Sequence, residues 1–312
     1  MLINLVPDFL AVIDAADPGS AYDAYFAAHE RILRAYWHNY VIEPEGTAFR
    51  DVVRATATAP RDDLRAMLET TDIVGIAHRT ERQCRDLLAS DVDVDVVLMV
   101  GVGAANAGEL VVGGRGIAFV CLEHFTGVIN PQTHGLGLDP ELIPLWLAHE
   151  MAHAVRYTSP GSRSELRQLV ADAGGWYSYW DTGQRASLRE LLVNEGVAVH
   201  TSRMICPGSA AWEYFGYERR EFARVRESEA AVARAASGDL DHAGLGLRLR
   251  FLSGGMSDAA RRVAGTTIPE RAGYYLGARM VESAVAHRGL AWTVRAAAQE
   301  IVDVASAEAQ IA

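Results

Sequence analysis

The feature that most constrains this chain is the segment H-E-M-A-H at 149–153, within the apolar stretch LIPLWLAHEMAHAVRY. Two histidines four positions apart share one face of an α-helix, so His149 and His153 can both reach one Zn²⁺ ion. Glu150 can then act as a general base toward a water molecule activated by that ion. Apolar residues three and four positions before the first histidine lie on the same face, so we expect both imidazoles to be buried, where they need a polar or metal partner.

A catalytic zinc ion needs a third protein ligand and one position open to water. No histidine stands six residues after His153, so the ligand is expected further along the chain. In the segment 188–203, Glu195 falls on the apolar face of a predicted helix, where a carboxylate needs a compensating charge. We therefore predict that His149, His153 and Glu195 bind one Zn²⁺ per chain, with His200 as the alternative third ligand.

These two segments, HEMAH followed by VNEGVA, resemble the gluzincins, the zinc peptidases that take two histidines from H-E-x-x-H and a glutamate from a second helix. The N-E-G-x-A pattern is similar to that of the aminopeptidase N family. In length and layout, the chain resembles more closely a bacterial domain family described as predicted zinc-dependent proteases. The resemblance spans about residues 90–290 and implies peptide or protein substrates, with His149, His153 and Glu195 on the zinc ion and Glu150 as the base.

A third segment, YYLGARMVESAVAHRG at 274–289, resembles the Y-x-x-G-A helix of aminopeptidase N-like enzymes. In those enzymes the tyrosine hydroxyl stabilises the oxyanion of the tetrahedral intermediate. When Gly277 is aligned with the glycine of that pattern, the tyrosine of the pattern falls on Tyr274 and not on Tyr275. Arg271 and His242 are the alternatives.

Two parts of the family pattern are missing. The G-x-M-E-N motif that captures a free α-amino group is absent, so we expect internal cleavage or loose specificity unless another acidic residue, such as Glu123, replaces it. Val199 stands where thermolysin-type enzymes have an aspartate that orients a zinc-binding histidine, which leaves that role to Asn194 or a backbone carbonyl. The strand at 116–122 is expected either to be an edge strand that pairs with extended substrate or to be a plain internal strand.

The spacing of apolar residues changes twice along the chain. It is helical to about residue 90, strand-like at 92–101 and again at 108–125, where Gly113–Gly114 predicts a turn, and helical once more after a loop rich in Gly and Pro. This order predicts an α+β, zincin-like fold with a small mixed sheet. We divide it into an N-terminal helical part (1–90), a catalytic core (91–205) and a C-terminal helical lobe that closes the cleft (206–312).

Composition narrows the classes of function. The formal net charge of −11 argues against binding to nucleic acid or to anionic membrane surfaces, both of which need basic patches. No apolar stretch approaches the ~20 residues of a membrane span. The N-terminus has no basic region typical of a secretory signal, and three widely spaced cysteines predict neither disulfides nor a cysteine zinc site. We therefore expect a cytoplasmic protein.

Two other functions fit the same residues. A zinc-dependent hydrolase of a non-peptide amide or ester would use the same ligands and the same base. A zinc-stabilised binding or regulatory module would need only the ligands. The second alternative is disfavoured because a structural zinc site has no use for Glu150.

Overall fold

The computed structural model describes residues 1–44 and 46–309, with side chains described as far as Val304. This part of the chain has an α+β structure in which helices surround a small mixed sheet. The strands of that sheet are β1 (Leu2–Asn4), β2 (Asp95–Met99), β3 (Ala107–Val112) and β4 (Arg115–Cys121). Their order is β1-β2-β4-β3, with β3 antiparallel to β4 and the other neighbours parallel.

Helices precede and follow the three consecutive strands. Those before β2 are α1 (Val6–Ile13), α2 (Pro18–Ala28), α3 (Glu30–Tyr40), α4 (Phe49–Thr58), α5 (Asp62–Thr70) and α6 (Ile73–Leu87). Those after β4 are α7 (Ile143–Thr158), α8 (Glu165–Asp172), α9 (Thr182–Arg185), α10 (Leu188–Ile205), α11 (Arg219–Glu227), α12 (Glu229–Ser237), α13 (Leu245–Leu252), α14 (Ala272–Arg288), α15 (Leu290–Thr293) and α16 (Ala298–Ala309). A short hairpin, β5 (Arg262–Val263) with β6 (Thr266–Thr267), lies between α13 and α14. None of the helices described is long and apolar enough to cross a membrane.

Most of these elements agree with the sequence patterns, but one strand was missed. The turn at Gly113–Gly114 joins β3 to β4, and both glycines have positive φ, 60° and 75°. The N-terminal part was predicted to be helical throughout, whereas Leu2–Asn4 forms β1, paired in parallel with β2. Three residues are too few to show a strand period, and their pairing partner lies more than 90 positions away in sequence.

Of the two alternatives for residues 116–122, an edge strand or a plain internal strand, the structure shows the internal strand. β4, which covers most of that segment, lies between β2 and β3 and pairs with both, so it is the plain internal strand of the alternative. The edge of the sheet on this side is β3. Both strands are almost wholly buried, so the apolar pattern alone does not indicate which of them lies at the edge of the sheet.

Helix α7, which carries residues 149–153, lies at the centre of the fold. It packs on β3 and β4 on one side and on α6 and α10 on others. Every residue from Leu145 to Tyr157 is buried. A helix surrounded in this way is not amphipathic, so its polar side chains must find their partners inside the protein.

One such partner joins α7 to α10. Arg156 and Glu190 form a fully buried ion pair in which Nε and Nη2 each donate to a carboxylate oxygen at 3.0 Å. The third nitrogen, Nη1, donates to the carbonyls of Thr293, Val294 and Ala296. The helical pattern places Glu190 off the apolar face of α10, but α15 and α16 also pack on this helix and bury it more completely. Because the guanidinium is fully hydrogen-bonded, the pair joins three chain segments without an unpaired charge.

Helices α10 and α14 cross with their backbones in contact. A Cβ atom at Gly196 would lie 2.2 Å from the carbonyl oxygen of Gly277, and one at Gly277 would lie 2.0 Å from that of Leu192. Only glycine fits at such distances. Glu195 precedes the first glycine directly and Tyr274 lies about one turn before the second, so this crossing brings the two predicted site residues together.

Candidate metal centre

The structure brings the three predicted zinc ligands together. The Oε2 atom of Glu195 on α10 lies 3.2 Å from Nε2 of His149 and 3.5 Å from Nε2 of His153, both on α7. One donor atom from each residue lies within 4.8 Å of the other two. Both imidazoles are buried, and the Glu195 side chain is only 12% exposed.

The spacing and chemistry of these atoms fit a zinc ion. Donor atoms about 2.0–2.2 Å from one tetrahedral zinc ion lie roughly 3.3–3.6 Å from each other. Oε2 of Glu195 lies at nearly these distances from both Nε2 atoms. Imidazole nitrogen and carboxylate oxygen are typical zinc ligands. A divalent cation would also balance the charge of a carboxylate held inside the protein.

The charge states of the three groups depend on one another. Burial lowers the pKa of His149, with Glu195 acting in the opposite direction. Burial also disfavours protonated His153, but the adjacent Glu195 carboxylate, with smaller contributions from Glu109 and Glu150, outweighs burial and raises the pKa of this histidine to about 10. Burial alone would raise the pKa of Glu195, yet the two imidazoles hold it well below its ordinary value. Glu195 is therefore ionised at neutral pH, as a ligand must be, whereas His153 has to release its proton when a metal ion binds.

Among the described residues, neither Asn194 nor a backbone carbonyl, the two candidates for orienting the histidines, is bonded to them. Nδ1 of each imidazole is buried and has no hydrogen-bond partner in the described part of the chain. Asn194 instead donates to the hydroxyl of Tyr157 at 3.0 Å. Packing holds the rings: His149 stacks on Tyr274 with ring centres 6.3 Å apart, and His153 stacks on Tyr157 at 6.0 Å.

Glu150 is buried beside the three predicted ligands and lines the same cavity, whose volume is about 240 Å³. Its carboxyl group faces that of Glu109 on β3. Burial raises the pKa of Glu150 well above its ordinary value, with His153 opposing this effect and Glu109 adding to it. The cavity therefore contains a carboxyl group that can hold or release a proton, next to the predicted metal ligands.

Glu109 is a site residue that the sequence analysis missed. Its two carboxylate oxygens accept hydrogen bonds from the hydroxyls of Tyr40 at 2.9 Å and Tyr157 at 3.1 Å. The signal in the sequence is the one acidic residue in the apolar strand AGELVV. A charged residue inside a buried strand requires polar partners, and here they come from α3 and α7.

Three of the alternative site residues lie outside the cavity. His200 is bonded through Nε2 to the carbonyl of Ala278 at 3.0 Å and does not join the three predicted ligands. His242 is exposed. Glu123 accepts the N–H groups of residues 101 and 103 and does not line the cavity. Arg271, by contrast, does line it.

Tyr274 lines the cavity, whereas Tyr275 points elsewhere. Besides its contact with His149, the Tyr274 ring lies 4.7 Å from the guanidinium of Arg271. Tyr275 donates from its hydroxyl to Glu229 at 3.2 Å. Burial, and then the charge of Glu195, raise the pKa of the Tyr274 phenol above its ordinary value, so it keeps its proton as a hydrogen-bond donor must.

Comparisons of the chain with protein families, curated proteins and solved structures found no match. The resemblance to gluzincins therefore depends on three short segments. In the structure, α7, α10 and α14 carry these segments to one cavity.

Protein purified without chelators should contain about one zinc ion per chain, and Glu195→Ala should lower that content because it removes one of three ligands. Elemental analysis by mass spectrometry measures it. His200→Gln is the matched control: it changes a buried side chain of the same helix outside the site, so zinc should be retained. Loss of zinc in His200→Gln, with full zinc in Glu195→Ala, would contradict this ligand set.

Proposed function

We propose that the protein is a zinc-dependent peptidase. The observation that carries the proposal is the position of Glu150, buried in the same cavity as His149, His153 and Glu195. A structural zinc site needs only its ligands. A further carboxyl group directly beside them is what hydrolysis by an activated water requires.

The roles of the side chains follow from their positions. Zinc held by His149, His153 and Glu195 would polarise the scissile carbonyl and make an attacking water more acidic. Glu150 takes a proton from that water and passes it to the leaving amine. Tyr274, which keeps its proton, donates a hydrogen bond to the developing oxyanion.

The first residues of the edge strand β3 lie beside the cavity, where a peptide substrate would bind. Ala107, Gly108 and Glu109 of β3 line the cavity, and β3 pairs with β4 on one side only. On the side of β3 away from β4, the N–H and C=O of Glu109 are bonded to the hydroxyl of Tyr40, and the carbonyl of Val111 accepts from the N–H of Tyr177. The Ala107 end of the strand is what remains for pairing with an extended peptide. The pairing role expected of residues 116–122 is therefore limited to the start of β3. Pairing there would favour a peptide over a non-peptide amide or ester, which has no extended backbone to pair.

Glu150→Gln should leave zinc bound and reduce peptide cleavage by at least ~10²-fold, because the amide has a similar size but does not accept the proton. Mass spectrometry of a mixed peptide library incubated with the protein measures cleavage. Glu141→Gln, the same change at an exposed position outside the cavity, is the control and should keep full activity. Unchanged cleavage by Glu150→Gln would indicate a different base or a non-catalytic zinc site.

Tyr274→Phe should lower kcat by roughly 10–10³-fold with little change in KM, since an oxyanion contact forms mainly in the transition state. Steady-state kinetics on a cleaved peptide from the same library measures both constants. Tyr275→Phe removes a hydroxyl from the adjacent residue, which faces Glu229, and should have a smaller effect. Equal losses in the two variants would count against a role for Tyr274 in catalysis.

A further inference from the structure

Two arginines, Arg248 of α13 and Arg271 just before α14, line the cavity of the candidate metal centre. Their hydrogen-bond partners among the described residues are uncharged. Arg248 donates to a carbonyl and a tyrosine hydroxyl, and Arg271 donates to the carbonyl of Gly216 at 3.1 Å. Both therefore bring a positive charge to the cavity that no carboxylate of the described chain neutralises by direct contact.

Arg248 is held in a fixed position. Its guanidinium carbon lies 3.5 Å from the ring centre of Tyr179, Nη1 donates to the carbonyl of Tyr179, and Nη2 donates to the hydroxyl of Tyr177, both at 3.0 Å. A Cβ at Gly183 would lie 1.4 Å from Nη1, so the backbone there leaves space for this group. The residue is only 6% exposed, and its Nε is buried with no partner in the described chain.

A buried and unpaired guanidinium is costly unless an anion compensates it. The tyrosine ring offsets part of this cost. The three carboxyl groups of the cavity are engaged with other groups: Glu195 faces the two imidazoles, Glu109 accepts from two tyrosine hydroxyls, and Glu150 faces Glu109. The charge of Arg248 is therefore available to a ligand that enters the cavity.

We infer that the cavity binds substrates that carry a carboxylate close to the bond that is cleaved, with Arg248 and Arg271 as its binding residues. The guanidinium of arginine matches a carboxylate in both charge and geometry. This inference rests on the proposed function and names its substrate class: short peptides with a C-terminal carboxylate, or peptides with an acidic side chain, beside the scissile bond.

The adjoining cavity favours one placement of that carboxylate. It has a volume of about 650 Å³ and shares Asn106, Trp146 and Arg271 with the metal-site cavity. Its wall also contains four acidic residues, Asp139, Glu213, Glu218 and Glu221, which outnumber its two arginines, Arg219 and the shared Arg271. Like charges repel, so this wall disfavours an anionic group. We therefore place the carboxylate at the Arg248 end and the rest of the peptide toward the larger cavity.

The test measures binding separately from cleavage, by calorimetric titration of zinc-loaded Glu150→Gln protein. The three probes are N-acetyl-trialanine with a free C-terminal carboxylate, its C-terminal amide, and N-acetyl-Ala-Glu-Ala amide. At least one carboxylate peptide should bind roughly 10-fold or more tightly than the trialanine amide. Preference for the first probe indicates a terminal carboxylate, and preference for the third an acidic side chain. Equal affinities for all three would overturn the inference.

A matched pair of variants in the same background assigns the preference to a residue. Arg248→Gln should reduce it to within about 2-fold, because the charge is lost. Arg250→Gln, two positions along α13, is the control: Arg250 donates to the carbonyl of Ala260, does not line the cavity, and should keep the preference. Equal loss of preference in both variants would overturn the assignment. Arg271→Gln provides a second variant. If Arg248→Gln fails to fold, the comparison of the three probes on the Glu150→Gln protein alone decides the inference.

The same probes distinguish this inference from the proposed function. Cleavage by the wild-type protein without any carboxylate preference would overturn the inference and leave the peptidase proposal intact. A carboxylate preference in binding, with no cleavage of any peptide by the wild-type protein, would support the inference and count against the peptidase proposal.

Discussion

The candidate site depends on the contact between the backbones of α10 and α14. Gly196 and Gly277 meet where neither helix has room for a Cβ atom. Glu195 and Tyr274 flank this contact, and His149 of α7 lies between them, within reach of the carboxylate and stacked on the phenol ring. The buried pair of Arg156 and Glu190 joins α7 to α10 further along. Small changes in either contact would move the candidate ligands relative to each other, because packed helices are not continuously deformable.

The cavity also concentrates charge at a cost to stability. Three carboxyl groups and two guanidinium groups line a space of about 240 Å³. Each would be unfavourable alone in a buried position. Imidazoles compensate Glu195, tyrosine hydroxyls compensate Glu109, and an aromatic ring compensates Arg248 in part. Clusters of this kind are typical of functional sites, where binding or catalysis requires groups that stability alone would not favour.

How well each feature could be predicted from the sequence depended on how far apart along the chain the interacting residues lie. The helix with His149 and His153, and the position of Glu195 on an apolar face, follow from local spacing, and the structure places these three residues together. The order of β3 and β4 in the sheet depends on long-range pairing, and the sequence left it open. Arg248 was missed because Arg248 and Arg250 both stand between apolar neighbours in LGLRLRFL. Only tertiary packing shows which of the two is buried against Tyr179.

X-ray absorption at the zinc edge of the zinc-loaded protein tests the central claim most directly, because it reports the ligands of the ion itself. The ligand set of His149, His153 and Glu195 predicts two imidazoles, with nitrogen and oxygen atoms at about 2.0–2.2 Å, and no sulfur ligand. The multiple-scattering signal of imidazole should weaken when His153 is replaced by alanine. A sulfur shell at about 2.3 Å, or a spectrum unchanged in that variant, would contradict the account.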